Sequence, residues 1–129
     1  MLIRNILEES VRKFDEVKAV KWLNKKEIME RSYGELMENV VSTRKGLLAE
    51  GFEGKHIALI GTSSVEWMES YLGIITGCTT AVPLDAALPC EELIDLLNRS
   101  DSVALFLSPK LRPYLDAFLE NCPKLQKMW

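Results

Sequence analysis

Few side chains in this sequence have the type and spacing that chemistry requires. His56 is the single histidine, and no carboxylate or cysteine stands at catalytic or ligand spacing from it, so it reads as a structural or surface residue rather than a base or metal ligand. Gly51-Phe52-Glu53-Gly54-Lys55-His56 has the glycines and lysine of a phosphate loop. A Walker loop, however, needs four residues between its glycines and a hydroxyl after its lysine, so this segment reads as a turn. Cys78, Cys90 and Cys122 are odd in number and widely spaced, with no CxxC pair, which points to reduced thiols rather than a zinc site or disulfide framework. Gly73-Ile74-Ile75-Thr76-Gly77 has the spacing of a membrane-helix dimer motif on a segment too short to span, so close helix packing in water is the plainer reading. No GxGxxG, nucleophile elbow or HExxH occurs.

One group runs against local preference. Ser108-Pro109 reads as the start of a helix, and Lys110 and Arg112 fall in its first turn, where the helix dipole disfavours cations. A serine cap, free backbone N–H groups and two cations would suit a phosphate. The plainer alternative is two solvated side chains.

The elements that must position these residues follow from composition and periodicity. With 129 residues, 47% of them apolar, the chain has the material for one α/β or α+β domain with a real core. A net charge of −3 and sparse aromatics leave no footprint for nucleic acid. The amino-terminal segment lacks the apolar core of a signal peptide. The longest uncharged run, 70–84, is too short for a membrane span and is broken by Gly73, Gly77 and Pro83. The expected location is therefore cytoplasmic.

Ile3, Ile6, Leu7, Val11 and Phe14 recur at helical spacing. Val17 to Leu23 and Glu27 to Arg31 read as two strands around a polar turn at 24–26. Ser32-Tyr33-Gly34-Glu35 is a capping box, so a helix starts there, buries Leu36, Met37, Val40, Val41, Leu47 and Leu48 along one stripe, and stops at Gly51. Ile57 to Ile60 suits a strand covered on both faces. A second capping box, Ser63-Ser64-Val65-Glu66, opens a helix that is apolar over most of its circumference and so is expected to be largely buried. Thr79 to Leu84 is β-rich, and Pro89 at a first helical position opens a helix whose inner face is Leu93, Leu96 and Leu97. Val103 to Leu107 is a third strand. Ser108-Pro109 opens a last helix with Leu111, Tyr114, Leu115, Phe118 and Leu119 inward, closed by Pro123. The alternation of strands and helices from Ile57 implies right-handed crossovers and a parallel sheet.

The motifs resemble those of the adenylate-forming superfamily, which includes acyl-CoA synthetases, luciferases and peptide-synthetase adenylation domains. Arg31-Ser32-Tyr33-Gly34-Glu35-Leu36 resembles its first core motif, and Ile75 to Asp85, ending Ala81-Val82-Pro83-Leu84-Asp85, resembles its second. Gly54 to Leu59, Ser63 to Trp67 and Leu88 to Leu93 resemble intervening stretches in the same order, so the likeness runs from about Lys18 to Ser108. The second motif departs in one respect. Counted back from Pro83, its glycine falls on Cys78, with Gly77 one place early.

The resemblance implies a fold and a role. The fold is α/β: a Rossmann-like parallel sheet with flanking helices and an N-terminal β-hairpin, part of a larger adenylate-forming N-terminal domain. Residues 1–31 would supply helix and hairpin, and residues 32–129 the repeated strand and helix units. The parent would be an acyl-CoA synthetase-like enzyme of the long-chain fatty acid ligase kind. With ATP, Mg2+ and coenzyme A it would activate a carboxylic acid as an acyl-adenylate and pass it to the thiol. The family's phosphate loop, magnesium-holding glutamate, ribose-binding aspartate and mobile-domain lysine have no counterpart among these residues. The expectation is therefore an inactive portion whose partner is the rest of the polypeptide, with no tightly bound cofactor and no catalytic or metal residue of its own, and which self-associates through an unpaired sheet edge. In some relatives the nucleotide end of coenzyme A lies near the loops after the second and third strands, here 85–87 and 108–112, which makes Ser108, Lys110 and Arg112 candidate phosphate contacts. Two rivals stay open: an adenylation domain loading an amino or aryl acid onto a carrier protein, and a freestanding, non-catalytic α/β binding domain.

Overall fold

The computed structural model describes residues 2–129. Helix α1 (Ile3–Phe14) leads into an antiparallel hairpin, β1 (Lys18–Asn24) and β2 (Glu27–Ser32). Its turn is two residues, Lys25-Lys26, with Lys25 in the left-handed region at φ 58°. Then follow α2 (Tyr33–Ala49), β3 (His56–Ile60), α3 (Val65–Ile75), β4 (Thr80–Leu84), α4 (Cys90–Arg99) and β5 (Ser102–Leu107). A 3-10 turn (Pro109–Tyr114), α5 (Leu115–Asn121) and a short β6 (Lys127–Met128) complete the order. The expected parallel sheet is present, with four strands ordered β4-β3-β5-β6. Sequence periodicity gave three of them; β6 is too short to show any.

The sheet is covered on both faces, which is why β3 is apolar from Ile57 to Ile60. Ile57 and Leu59 point to one side with Leu47, Phe52, Ile74 and Ala104, beneath α2 and α3. Ala58 and Ile60 point to the other with Leu93, Leu97, Leu105 and Phe118, beneath α4 and α5. Burying each such leucine, isoleucine or phenylalanine contributes about 1.5–3 kcal/mol, so these two layers hold the sheet.

The first capping box forms as read: Glu35 N donates to Ser32 Oγ at 3.1 Å and Ser32 N donates to Glu35 Oε1 at 3.1 Å. The second is corrected by one residue. Ser64, not Ser63, caps α3 and accepts from Trp67 N at 3.0 Å. With Trp67 at the third helical position no side chain can return the bond, so there is a cap and no box. Pro89 is likewise the residue before α4 rather than its first.

Two burial expectations also change. Most of the apolar residues of α3 are only half-buried, and the fully covered members of that helix are Val65, Glu69, Gly73 and Ile74. Leu48 and Leu119 face solvent. The glycine pair does what close packing requires: a Cβ on Gly73 would lie 2.5 Å from Thr43 Cβ and 3.1 Å from the Val40 carbonyl, and one on Gly77 would lie 3.1 Å from Arg44 Cγ. The pair lets α3 lie directly against α2.

Candidate functional site

In this strand order the chain leaves β3 toward α3 on one face of the sheet and leaves β5 toward α5 on the other. The two departing loops therefore part between the carboxyl ends of β3 and β5. Such switch points are where open α/β sheets hold ligands.

A crevice of about 430 Å³ lies there, lined among others by Gly61, Thr62, Glu66, Trp67, Ser108 and Trp129. Ser108 N donates to Ile60 O at 2.9 Å, which ties the two strand ends together. Gly61 gives this tie room, since an added Cβ would come within 3.2 Å of Ser108 Cβ and 3.5 Å of Trp67 Cδ1. The aromatic walls are fixed by stacking: Trp67 on Tyr71 at 5.2 Å between ring centroids, and Phe106 on Trp129 at 4.8 Å. On the far side of Gly61, Thr62 and Trp67 a second hollow of about 510 Å³ runs under Asp85, Ala86 and Ala87. Asp85 Oδ1 accepts from Ala87 N at 2.9 Å and Asp85 O from Leu88 N at 3.2 Å, so that loop is a closed turn.

The lining offers hydroxyls from Thr62, Ser64, Ser70 and Ser108, indole faces and the Glu66 carboxylate. Such a surface can hold a planar group that donates hydrogen bonds. It contains no nucleophile and base couple. Among the described residues no three His, Cys, Asp or Glu side chains gather as a metal site, and no helix is long and apolar enough to cross a membrane.

Of the candidate contacts, Ser108 is half-buried and lines the crevice, whereas Lys110 and Arg112 are exposed on the turn beyond it. The expected helix there is corrected. Residues 109–114 form a 3-10 turn, and Ser108 makes no side-chain cap bond. Pro113 lacks an N–H, and its ring would collide with the carbonyl of Pro109 four residues back, so an α-helix opened at Pro109 cannot run through it, and α5 starts at Leu115. Sequence reading missed Gly61, Thr62 and Trp67. The available signal was a glycine directly after a buried strand, at the sheet end where loops converge.

A polar network stands behind the crevice wall. Glu69, next in sequence to Ser70, is 5% exposed. It accepts from Asn39 Nδ2 at 2.6 Å and pairs with Arg31 Nη2 at 3.3 Å, while the Arg31 guanidinium lies 5.4 Å from the Trp22 ring centroid. Burial pushes the Glu69 carboxyl above its ordinary value, with Asn39 and Arg31 opposing. Arg44 Nη2 donates to Thr76 Oγ1 at 2.9 Å, and burial lowers its guanidinium pKa.

Residues 7–128 match the model of the family described as AMP-binding enzyme. A CoA ligase of Gibberella moniliformis is 31% identical over 84 residues, covering 60% of this chain and 14% of the relative. Among solved structures, the R395G mutant of coronafacic acid ligase from Pectobacterium brasiliense superimposes with a TM-score of 0.88 at 22% identity, over 100% of this chain and 25% of that one. The N-terminal domain of FACL13 from Mycobacterium tuberculosis gives 0.87 at 19% identity, over 99% and 33%. The chain thus spans a third or less of the relatives it matches.

Proposed function

The chain belongs to the AMP-binding enzyme family of adenylate-forming ligases, and from that premise we propose that it is the N-terminal portion of an ATP-dependent acid-thiol ligase. The parent joins a carboxylic acid to AMP with loss of pyrophosphate, then passes the acyl group to coenzyme A; a fatty acid is the substrate we favour. ATP, Mg2+ and coenzyme A are the parent's requirements. The 129 residues alone are inactive, because in-line attack on ATP needs charge neutralisation by groups absent from them. Residues 1–31 act as an added helix and hairpin, and residues 32–129 as sheet scaffold.

The observation that carries this reading is the family match over 7–128. Coenzyme A is favoured over a carrier protein because the curated relative is a CoA ligase. For the nucleotide end of coenzyme A, the loops at Asp85 and Ser108 both open at the carboxyl edge of the sheet. Lys110 and Arg112 stand just beyond, able to swing toward phosphates, so these two and Ser108 are the proposed contacts.

The test has two arms. Pyrophosphate exchange is measured with fatty and aryl acids for this chain and for the complete reading frame that contains it. Exchange by the complete frame alone is expected, and a frame that stops after Trp129 rules the ligase out. Coenzyme A is then titrated calorimetrically against the chain and against Lys110→Ala/Arg112→Ala. Weaker heat from the variant is expected, and equal heats remove the phosphate assignment.

A further inference from the structure

The hairpin β1-β2 breaks the alternation a half-covered hairpin should show. Directly opposed residues share a face, so Trp22 with Met29 and Val20 with Arg31 form one side, and Lys21 with Glu30 and Leu23 with Ile28 the other. The first side carries the anchor to the body, through Arg31 and the buried Glu69. The second faces solvent and should be polar. Instead Leu23 is 69% and Ile28 72% exposed, an apolar pair beside the turn. The turn itself is Lys25-Lys26, and among the described residues neither lysine is ion-paired. Charge is segregated to match: residues 18–31 hold five cations and two carboxylates, while the remainder of the chain holds eleven and seventeen.

From this geometry we infer that the hairpin tip is a docking point for an anionic lipid surface. Leu23 and Ile28 enter the acyl boundary, while Lys25 and Lys26 reach lipid phosphates with their stems along the apolar layer. The acidic body is repelled by the same surface, which orients the chain tip-first. Two strongly exposed side chains beside a two-residue turn can enter a fluid layer with no preformed groove, whereas a partner protein's side chain needs one to be buried. That distinction favours lipid over an acidic protein.

The test is co-sedimentation of the chain with phosphatidylcholine vesicles, with and without 30% phosphatidylserine. Binding is expected only with phosphatidylserine, and loss at about 0.5 M salt. Lys25→Gln/Lys26→Gln should lower partitioning roughly 25-fold. Leu23→Gln/Ile28→Gln should lower it at least about tenfold. The equally charged control Lys45→Gln/Lys55→Gln should bind as the parent does. Circular dichroism melts of all variants verify folding, which these exposed positions leave intact. No binding, equal binding to neutral vesicles, or an equal loss in the control overturns the inference. Binding to soluble polyglutamate without binding to vesicles overturns it in favour of an acidic protein.

Discussion

At the scale of single residues, the most informative side chain is one that periodicity could not reveal. Glu69 lies on the covered side of α3 and is held by Asn39 and Arg31. A helix pattern marks every apolar position but cannot say which charged residue is turned inward with a partner 38 positions earlier. A buried pair broken on one side leaves an uncompensated charge. Glu69→Leu should therefore lower stability by about 3 kcal/mol, near the low end because Arg31 is partly exposed. Arg31→Met/Glu69→Leu should fall within about 1 kcal/mol of the parent. Urea titration of the parent, Glu69→Leu, Arg31→Met and the double variant measures the coupling, and additive losses would show that the pair is not a unit. The pH dependence has a definite sign. Burial raises the Glu69 pKa in the folded chain above the ordinary 4.5, so the folded state takes up this proton first. The resulting stability is full below 4.5 and is lost as pH rises through the folded value. Between pH 4.5 and 7, the midpoint of thermal unfolding should thus drop further for the parent than for Glu69→Gln.

At the scale of elements, two glycines of similar helical setting should respond oppositely to one methyl group. Gly73→Ala drives a Cβ against Thr43 and the Val40 carbonyl, and overpacking of this kind costs about 1–3 kcal/mol. Gly46, on α2, has nothing within 4 Å of an added Cβ, so Gly46→Ala should stabilise by about 0.5–1 kcal/mol through helix propensity. Thermal melts of the pair check both signs. Elements were the most legible level in the sequence. The Ser32 box, the Gly51 stop with φ 78° and the apolar run of β3 each carry a local cause, and each appears where that cause puts it. Legibility failed where two local signals competed. Ser108-Pro109 announces a helix, but Pro113 would fall inside it and cannot make the bond back to Pro109, so the turn that holds the candidate phosphate contacts took a 3-10 geometry. The crevice was less legible than the strands around it, because its walls come from 61–67, 106–109 and 129. Only the strand order brings those segments together.

At the scale of the whole molecule, the sheet has two unlike margins. β4 carries Pro83 opposite Leu59, a residue tolerated on a margin because it has no N–H to leave unpaired. β6, at the other margin, has no proline, and its only guards are its two-residue length and Lys127. An open margin is a template for another strand, either from the longer parent or from a second copy. Light scattering should accordingly show a mean mass rising above 14.6 kDa with concentration; a constant mass up to millimolar chain would count against an open margin at β6. The placement of the three tryptophans gives the molecule a further property. Trp67 and Trp129 both line the crevice, each stacked on another ring, while Trp22 lies under the Arg31 guanidinium within the hairpin, next to Leu23. Separate intrinsic fluorophores thus stand at the crevice and in the hairpin arm, the latter beside its exposed tip. Replacing Trp22, or the other two, by phenylalanine would split the emission into one channel that watches the cleft and one that watches the arm, with no dye attached.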